Sequence, residues 1–172
     1  MTNKKLAFYS LIIAAYVALT LALGSFGFGP IQVRVAEVLV VFCIVKKEYI
    51  IPLTIACAIT NALGVIMATD IIGVFDIVFG TLATFLSCLC AYQFRNILWF
   101  NKPIASLLMP VIFNGLIVGA MLSYVLMPKE LFMMGLLING LEVAVGEFIS
   151  CVVLGVLLFN PLKKLVDNES LD

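Results

Sequence analysis

Six long apolar stretches, separated by short polar turns, run through nearly the whole of this 172-residue sequence. Few folds are open to such a chain. Only 12% of its residues are charged and 64% are hydrophobic, whereas a soluble domain carries about 25% charged residues. Its outer surface must therefore be solvated by lipid. A helix needs roughly 20 mostly apolar residues to cross a bilayer. Stretches 6–24, 33–45, 49–67, 74–92, 103–126 and 131–159 read as six transmembrane helices of an all-α integral membrane protein with short loops. They form a single six-helix transmembrane domain spanning 1–172. The first stretch follows Lys4 and Lys5 and continues through Leu23 with no small-residue cleavage site, so it reads as a retained helix rather than a signal peptide. The second is short and opens on polar residues. The sixth is long and is expected to stop at Asn160-Pro161.

Lysine and arginine set the orientation. With the N-terminus inside, the inner segments hold Lys4, Lys5, Lys46, Lys47, Arg95, Lys102, Lys163 and Lys164, and the outer ones hold Arg34 and Lys129. Eight against two places both termini of this multi-pass chain in the cytoplasm.

Several function classes drop out. Ten basic residues balanced by ten acidic ones form no basic patch, which argues against a nucleic-acid partner. Histidine is absent, and with it the usual proton shuttle and commonest metal ligand. Cys43, Cys57, Cys88, Cys90 and Cys151 all lie in apolar runs without a C-x-x-C pair, and read as small buried hydrophobes. No cofactor or metal is implied, and no activated nucleophile points to an enzyme. There is no GxxxxGK[ST] phosphate loop.

The informative residues are polar ones inside the spans, where charge is costly and marks a function or a structural pair. Arg34 and Glu37 lie three apart at the outer end of the second span, and Asp76 near the outer start of the fourth. Asn61 and Asn114 lie in the third and fifth. Asn139 and Glu142 share a face of the sixth, with Glu147 over a turn deeper. Two readings stand for most of them. Arg34 and Glu37 form an interface salt bridge or touch a ligand; Asn61 and Asn114 glue helices together or, for Asn114, bind a ligand; Asp76 caps its helix or joins a pocket. Glu142 and Glu147 lack basic partners, so they accept donors from a ligand, hold protons or face a water-filled cavity. A pocket so rich in acceptors suits a ligand with many N–H donors or a positive charge, such as an aminopurine-like base, whose N–H and NH2 edge a carboxylate can accept bidentately. Phe26 and Phe28 on the first outer loop are placed to stack on a flat ring or to act as a hydrophobic lid. Ala14, Ala18 and Ala22 recur every four residues on one face of the first helix, spacing that lets another helix approach closely.

These features together resemble the substrate-binding S components of energy-coupling factor (ECF) transporters. Gly29-Pro-Ile-Gln-Val-Arg-Val-Ala-Glu37 is similar to the segment that opens the second helix of the queuosine-precursor (QueT-type) group, and Asp76-Ile-Val-Phe-Gly-Thr-Leu-Ala-Thr84 to its fourth-helix segment. Asn114-Gly-Leu-Ile-Val-Gly119 and Val145-Gly-Glu147 resemble its fifth and sixth. Phe42-Cys-Ile-Val-Lys-Lys-Glu48 departs from the group's pattern on the inner side. The resemblance implies a non-catalytic subunit that captures a 7-deazaguanine such as preQ1, preQ0 or queuine from outside. It also implies partnership with a transmembrane T component and two ATPases that power release inward. The substrate-binding set would then be Phe28, Gln32, Arg34, Glu37, Asp76, Asn114, Asn139, Glu142 and Glu147. The Ala14, Ala18, Ala22 face would meet the T component. Two other readings remain: an S component for a thiamine-like cation, which also suits an acidic pocket, and a helical scaffold whose polar residues serve only as glue.

Overall fold

A computed structural model of the protein describes residues 3–24, 28 and 33–169. Among them the chain is helical, with one isolated β-bridge between Trp99 and Lys102. Helix α1 is Asn3–Ala22, α2 Val40–Val45, α3 Ile50–Ile66, α4 Val74–Gln93, α5 Ile104–Leu107, α6 Met109–Leu126, α7 Phe132–Glu147 and α8 Leu154–Glu169. Short 3-10 turns lead into α2 (Val35–Leu39), α3 (Lys47–Tyr49) and α7 (Lys129–Leu131).

Five helical segments are long and apolar enough to cross a membrane: Asn3–Ala22, Lys47–Ile66, Val74–Gln93, Ile104–Leu126 and Lys129–Asn168. The remaining one, Val35–Val45, is shorter. At 1.5 Å per residue it covers about 16 Å, roughly half of a hydrocarbon core. Every residue from Ala36 to Ile44 is buried. The apolarity of this segment thus answers to protein neighbours, and it lies inside the bundle rather than against lipid.

The long helices pack in series, α1 on α3, α3 on α4, α4 on α6 and α6 on α7, while the 35–45 segment touches α1, α4 and α8. Lys5 Nζ lies 3.3 Å from Glu48 Oε2, Lys46 Nζ donates to the Val166 carbonyl at 3.5 Å, and Lys102 Nζ to Asn160 Oδ1 at 3.0 Å. Those contacts gather the start of α1, both lysine-bearing turns and the end of α8 at one end of the molecule, opposite Arg34 and Asp76. The largest apolar cluster, including Phe42, Tyr49, Leu53 and Leu107, fills the half nearer the lysines.

Two prolines behave differently. Pro110 falls in the first turn of α6, where no donor is required, and the helix re-registers at Leu108 between α5 and α6. Pro161, expected to end the last helix, lies inside α8. A proline there forfeits one helical hydrogen bond. The bonds from Lys102 to Asn160 and from Lys46 to Val166 hold the helix on either side of it, and Val166 is fully buried. Tertiary anchoring overrides the local stop signal. Between α7 and α8 a π-helical turn, Phe148–Val153, widens the inward face, and Ser150, Cys151 and Val152 are consecutive buried residues.

Association of helices in lipid draws on close van der Waals packing, since lipid tails are as apolar as leucine. The α6–α7 contact shows this. A Cβ placed on Gly119 would come within 2.5 Å of Gly140 Cα, and one on Gly115 within 3.2 Å of the Gly140 carbonyl oxygen. Backbone meets backbone here. Gly119→Val should therefore force the two helices apart and lower the midpoint of thermal unfolding in detergent, by an amount corresponding to at least about 1–3 kcal/mol. Leu116→Ala, on the exposed face of α6, serves as the control and should change the midpoint little; equal effects of the two would contradict the close crossing.

Candidate polar site

The buried Arg, Lys, Asp and Glu side chains among the described residues are Arg34, Glu37, Asp76 and Glu147. They lie at successive depths. Nearest the end opposite the lysines, Arg34 Nη2 donates to Asp76 Oδ2 at 2.5 Å, and both side chains are all but inaccessible. Asp76 stands in the first turn of α4, and its carboxylate folds back over Gly80, where any Cβ would overlap Asp76 Oδ1. Asn61 of α3 donates from Nδ2 to the Asp76 carbonyl at 2.8 Å. The ring of Phe28, itself fully buried, lies against Gly64, with its centroid 5.6 Å from the Arg34 guanidinium carbon.

Deeper in, Glu37 Oε1 accepts from Tyr16 Oη of α1 at 2.5 Å and from Thr84 Oγ1 of α4 at 3.1 Å. Glu147, at the end of α7, accepts from Asn114 Nδ2 at 3.0 Å and from the Cys151 thiol at 3.4 Å. Asn139 donates to Ser123 Oγ at 3.1 Å, and Ser123 in turn donates to the Gly119 carbonyl. The structure thus joins Arg34 with Asp76, and Asn114 with Glu147. The spacing of three between Arg34 and Glu37 is not used as a pair: the guanidinium turns to α4 and the carboxylate to α1 and α4. Glu142 is half-buried and stands beside the enclosed stripe of Asn139, Val143, Gly146 and Glu147, outside this bonded network. Gln32, Phe26 and Gly29-Pro-Ile lie outside the described residues. Asp76 does not cap α4, which has no side-chain cap; in the loop before it, Asp70 Oδ1 accepts from the Ile72 and Gly73 amides at 2.9 and 3.1 Å and braces the turn. Burial, reinforced by the charge of Asp76, pushes the Asp70 carboxyl up to about 6.

Tyr16, Thr84 and Cys151 are the residues that sequence reasoning passed over. Two carried a signal. Thr84 stands at i+8 from Asp76 with Gly80 between, one face of α4, and Cys151 stands at i+4 from Glu147. Tyr16 had none beyond lying opposite the alanine face. Ala14, Ala18 and Ala22 are exposed, while Ile12, Tyr16 and Thr20 form the buried side of α1.

The arrangement has two chemical properties. One guanidinium is enclosed with three carboxyl groups, so two carboxyls lack a cationic counterpart and must hold a proton or meet a cationic donor. Buried Asn61 Oδ1, Asp76 Oδ1 and Asn114 Oδ1 also have no hydrogen-bond partner among the described residues. An orphaned buried acceptor costs about 1–3 kcal/mol and calls for a donor. No group of three His, Cys, Asp or Glu side chains placed to hold a metal occurs among the described residues. The cluster is built to accept hydrogen bonds.

Breaking the Arg34–Asp76 pair should be costly. Asp76→Ala leaves the Arg34 guanidinium uncompensated and should destabilise the protein by about 3–5 kcal/mol. In the double variant Arg34→Met, Asp76→Leu much of that loss should return. Thermal unfolding of the three proteins checks this, and a double variant no more stable than Asp76→Ala would deny that the pair is the coupling between these helices.

No solved structure matches the chain. The queuosine precursor transporter QueT of Lactococcus lactis subsp. cremoris (strain MG1363) is 39% identical over 66 residues, a match spanning 37% of this chain and 39% of that protein's length. The family model described as QueT transporter matches residues 6–164, from the second turn of α1 into α8. That match takes in every buried charge described above, and the chain, a multi-pass protein of the bacterial cell membrane, belongs to the QueT transporter family.

Proposed function

We propose that this chain is the membrane-embedded substrate-binding (S) component of an ECF-type importer, and that its ligand is a queuosine precursor, a 7-deazaguanine. The observation that carries this reading is the enclosed excess of acceptors: three carboxyls against one guanidinium, with Asp76 Oδ1 and two side-chain amide oxygens, Asn61 Oδ1 and Asn114 Oδ1, unpartnered among the described residues. A deazaguanine presents ring N–H and amino donors to such a surface, and its aminomethyl form adds a cation. The partly matching relative carries the name of a queuosine precursor transporter, which supports the same substrate class. Asp76, Asn114 and Glu147 supply acceptors, Glu142 meets a ligand cation at the edge of the site, and Arg34, Glu37 and Phe28 shape its outer part. Asn139 and, beyond the described residues, Gln32 belong to the same set. Transport would need a T component and two ATPases, with ATP hydrolysis on those chains, and the exposed Ala14, Ala18, Ala22 face of α1 is the side offered to the T component.

Purified protein should bind the aminomethyl deazaguanine in a thermal-shift or calorimetric titration, and bind thiamine far more weakly. A surplus of carboxyls also suits thiamine, so preference for thiamine would transfer the assignment to that cation, and binding of neither would reject an S component for these ligands. Glu142→Gln keeps the shape and one acceptor but removes the charge. It should weaken the aminomethyl form by about ten- to a hundredfold and the uncharged nitrile form less. Equal loss for both ligands would move Glu142 to the guanine edge, and no loss would exclude it.

Both termini are assigned to the cytoplasm. A cysteine introduced at Gly73 or Lys129 should be labelled from outside intact cells by a membrane-impermeant maleimide, and one at Lys47 or Lys102 should not. The reverse pattern would invert the orientation.

A further inference from the structure

The turn between α4 and α5, residues 94–103, plays no part in the polar site, yet it combines strain with exposed apolar surface. Trp99 and Lys102 exchange backbone hydrogen bonds of 2.9 and 3.0 Å, closing a two-residue hairpin over Phe100 and Asn101. Both central residues have positive φ, 52° and 60°, the backbone of a type I′ turn, in which Asn and Gly are the usual occupants. Asn101 suits it. Phe100 does not: a bulky side chain in the left-handed region is an outlier, and this one is 96% exposed. Ile97, Leu98 and Trp99 beside it are each about half exposed. At 96% exposure Phe100 packs against almost nothing among the described residues, so the bundle they form does not explain why a phenylalanine stands there.

Geometry says what covers it. The hairpin joins α4 to α5, and the segments on both sides, Val74–Gln93 and Ile104–Leu126, are long enough to cross the membrane. Ten residues that leave one span and enter the next reach at most about 16 Å before turning back, and the turn at Phe100 shortens that reach. The tip therefore stays near the bilayer surface, at the lysine-bearing end of the molecule, where Lys102 is bonded to Asn160. Its composition fits that depth. Trp and other aromatic rings favour the membrane–water boundary, and flanking cations favour phosphate headgroups. Arg95, stacked 3.9 Å from the Tyr92 ring centroid, and Lys102 bracket the apolar tip.

We propose that Leu98, Trp99 and Phe100 form an interfacial anchor that inserts into the boundary between headgroups and acyl chains of phospholipid in the lysine-side leaflet. The strained turn presents the Phe100 ring outward to lipid. Because the hairpin is tied to α8 through Lys102 and Asn160, the anchor fixes the depth of α4, α5 and α8 together.

Trp99 is the protein's only tryptophan, so its fluorescence reports the tip directly. The full chain is reconstituted in phosphatidylcholine–phosphatidylglycerol vesicles. Emission should be blue-shifted and quenched by lipids brominated high on the acyl chain, with aqueous iodide quenching little. Strong iodide quenching with no effect of brominated lipid would place the tip in water and overturn the proposal. Shielding from both quenchers would place it against protein, a second copy of the chain, and would overturn it equally. Phe100→Asn suits the positive φ and keeps the turn while removing the ring; it should cut quenching by brominated lipid by about half. Undiminished quenching in that variant, with unfolding unchanged, would show that Phe100 is no part of the anchor.

Discussion

The buried pair of Arg34 and Asp76 is the interaction on which the half of the molecule away from the lysines depends. A guanidinium in a low-dielectric bundle cannot stay charged without a partner, and it cannot shed its proton. Its position is therefore dictated by where a carboxylate can be brought. That requirement draws the start of the 35–45 segment to the first turn of α4, and it requires Gly80, because a side chain there would occupy the space of the Asp76 carboxylate. Asn61 then fixes the same turn of α4 to α3 through the Asp76 carbonyl.

Beneath that pair, polarity is arranged by depth. Glu37 is held by hydroxyls from two different helices, Glu147 by an amide and a thiol. Neutral donors of this kind satisfy geometry without cancelling charge, so the surplus of carboxyl over guanidinium persists into the middle of the bundle. A scaffold needing only helix glue would have no use for that surplus, since uncharged amides and hydroxyls serve as well at lower desolvation cost. That surplus is the feature on which the proposed binding role rests.

Much of this was legible in the residues. Five of the apolar runs became helices of spanning length, because periodicity matters little when every face is apolar and length alone sets the outcome. Arg34, Glu37, Asp76, Asn114 and Glu147 stood out by being expensive in lipid, and all five are buried and bonded. Their partners were less visible. Tyr16 and Cys151 look like ordinary membrane-helix residues, and only the packing of α1 against the 35–39 turn that carries Glu37 gives Tyr16 a role. Spacing along a helix favoured Arg34 with Glu37, but a 3-10 turn and a neighbouring helix offered the guanidinium a different carboxylate. Pro161 read as a stop and proved to lie within a helix held at both sides.

By itself the sequence determined the class of solvent, the number of apolar segments and which side chains required an explanation, because the transfer cost of each residue into lipid is a local property. The tertiary structure alone decided which segment is enclosed rather than lipid-facing. It also decided which carboxylate answers Arg34, which face of α1 is left open, and where Gly119 and Gly140 let two backbones touch. Pairing and enclosure are properties of helices that meet at particular depths. In a chain apolar on nearly every face, those depths are set by close packing and by the few polar groups that must find one another.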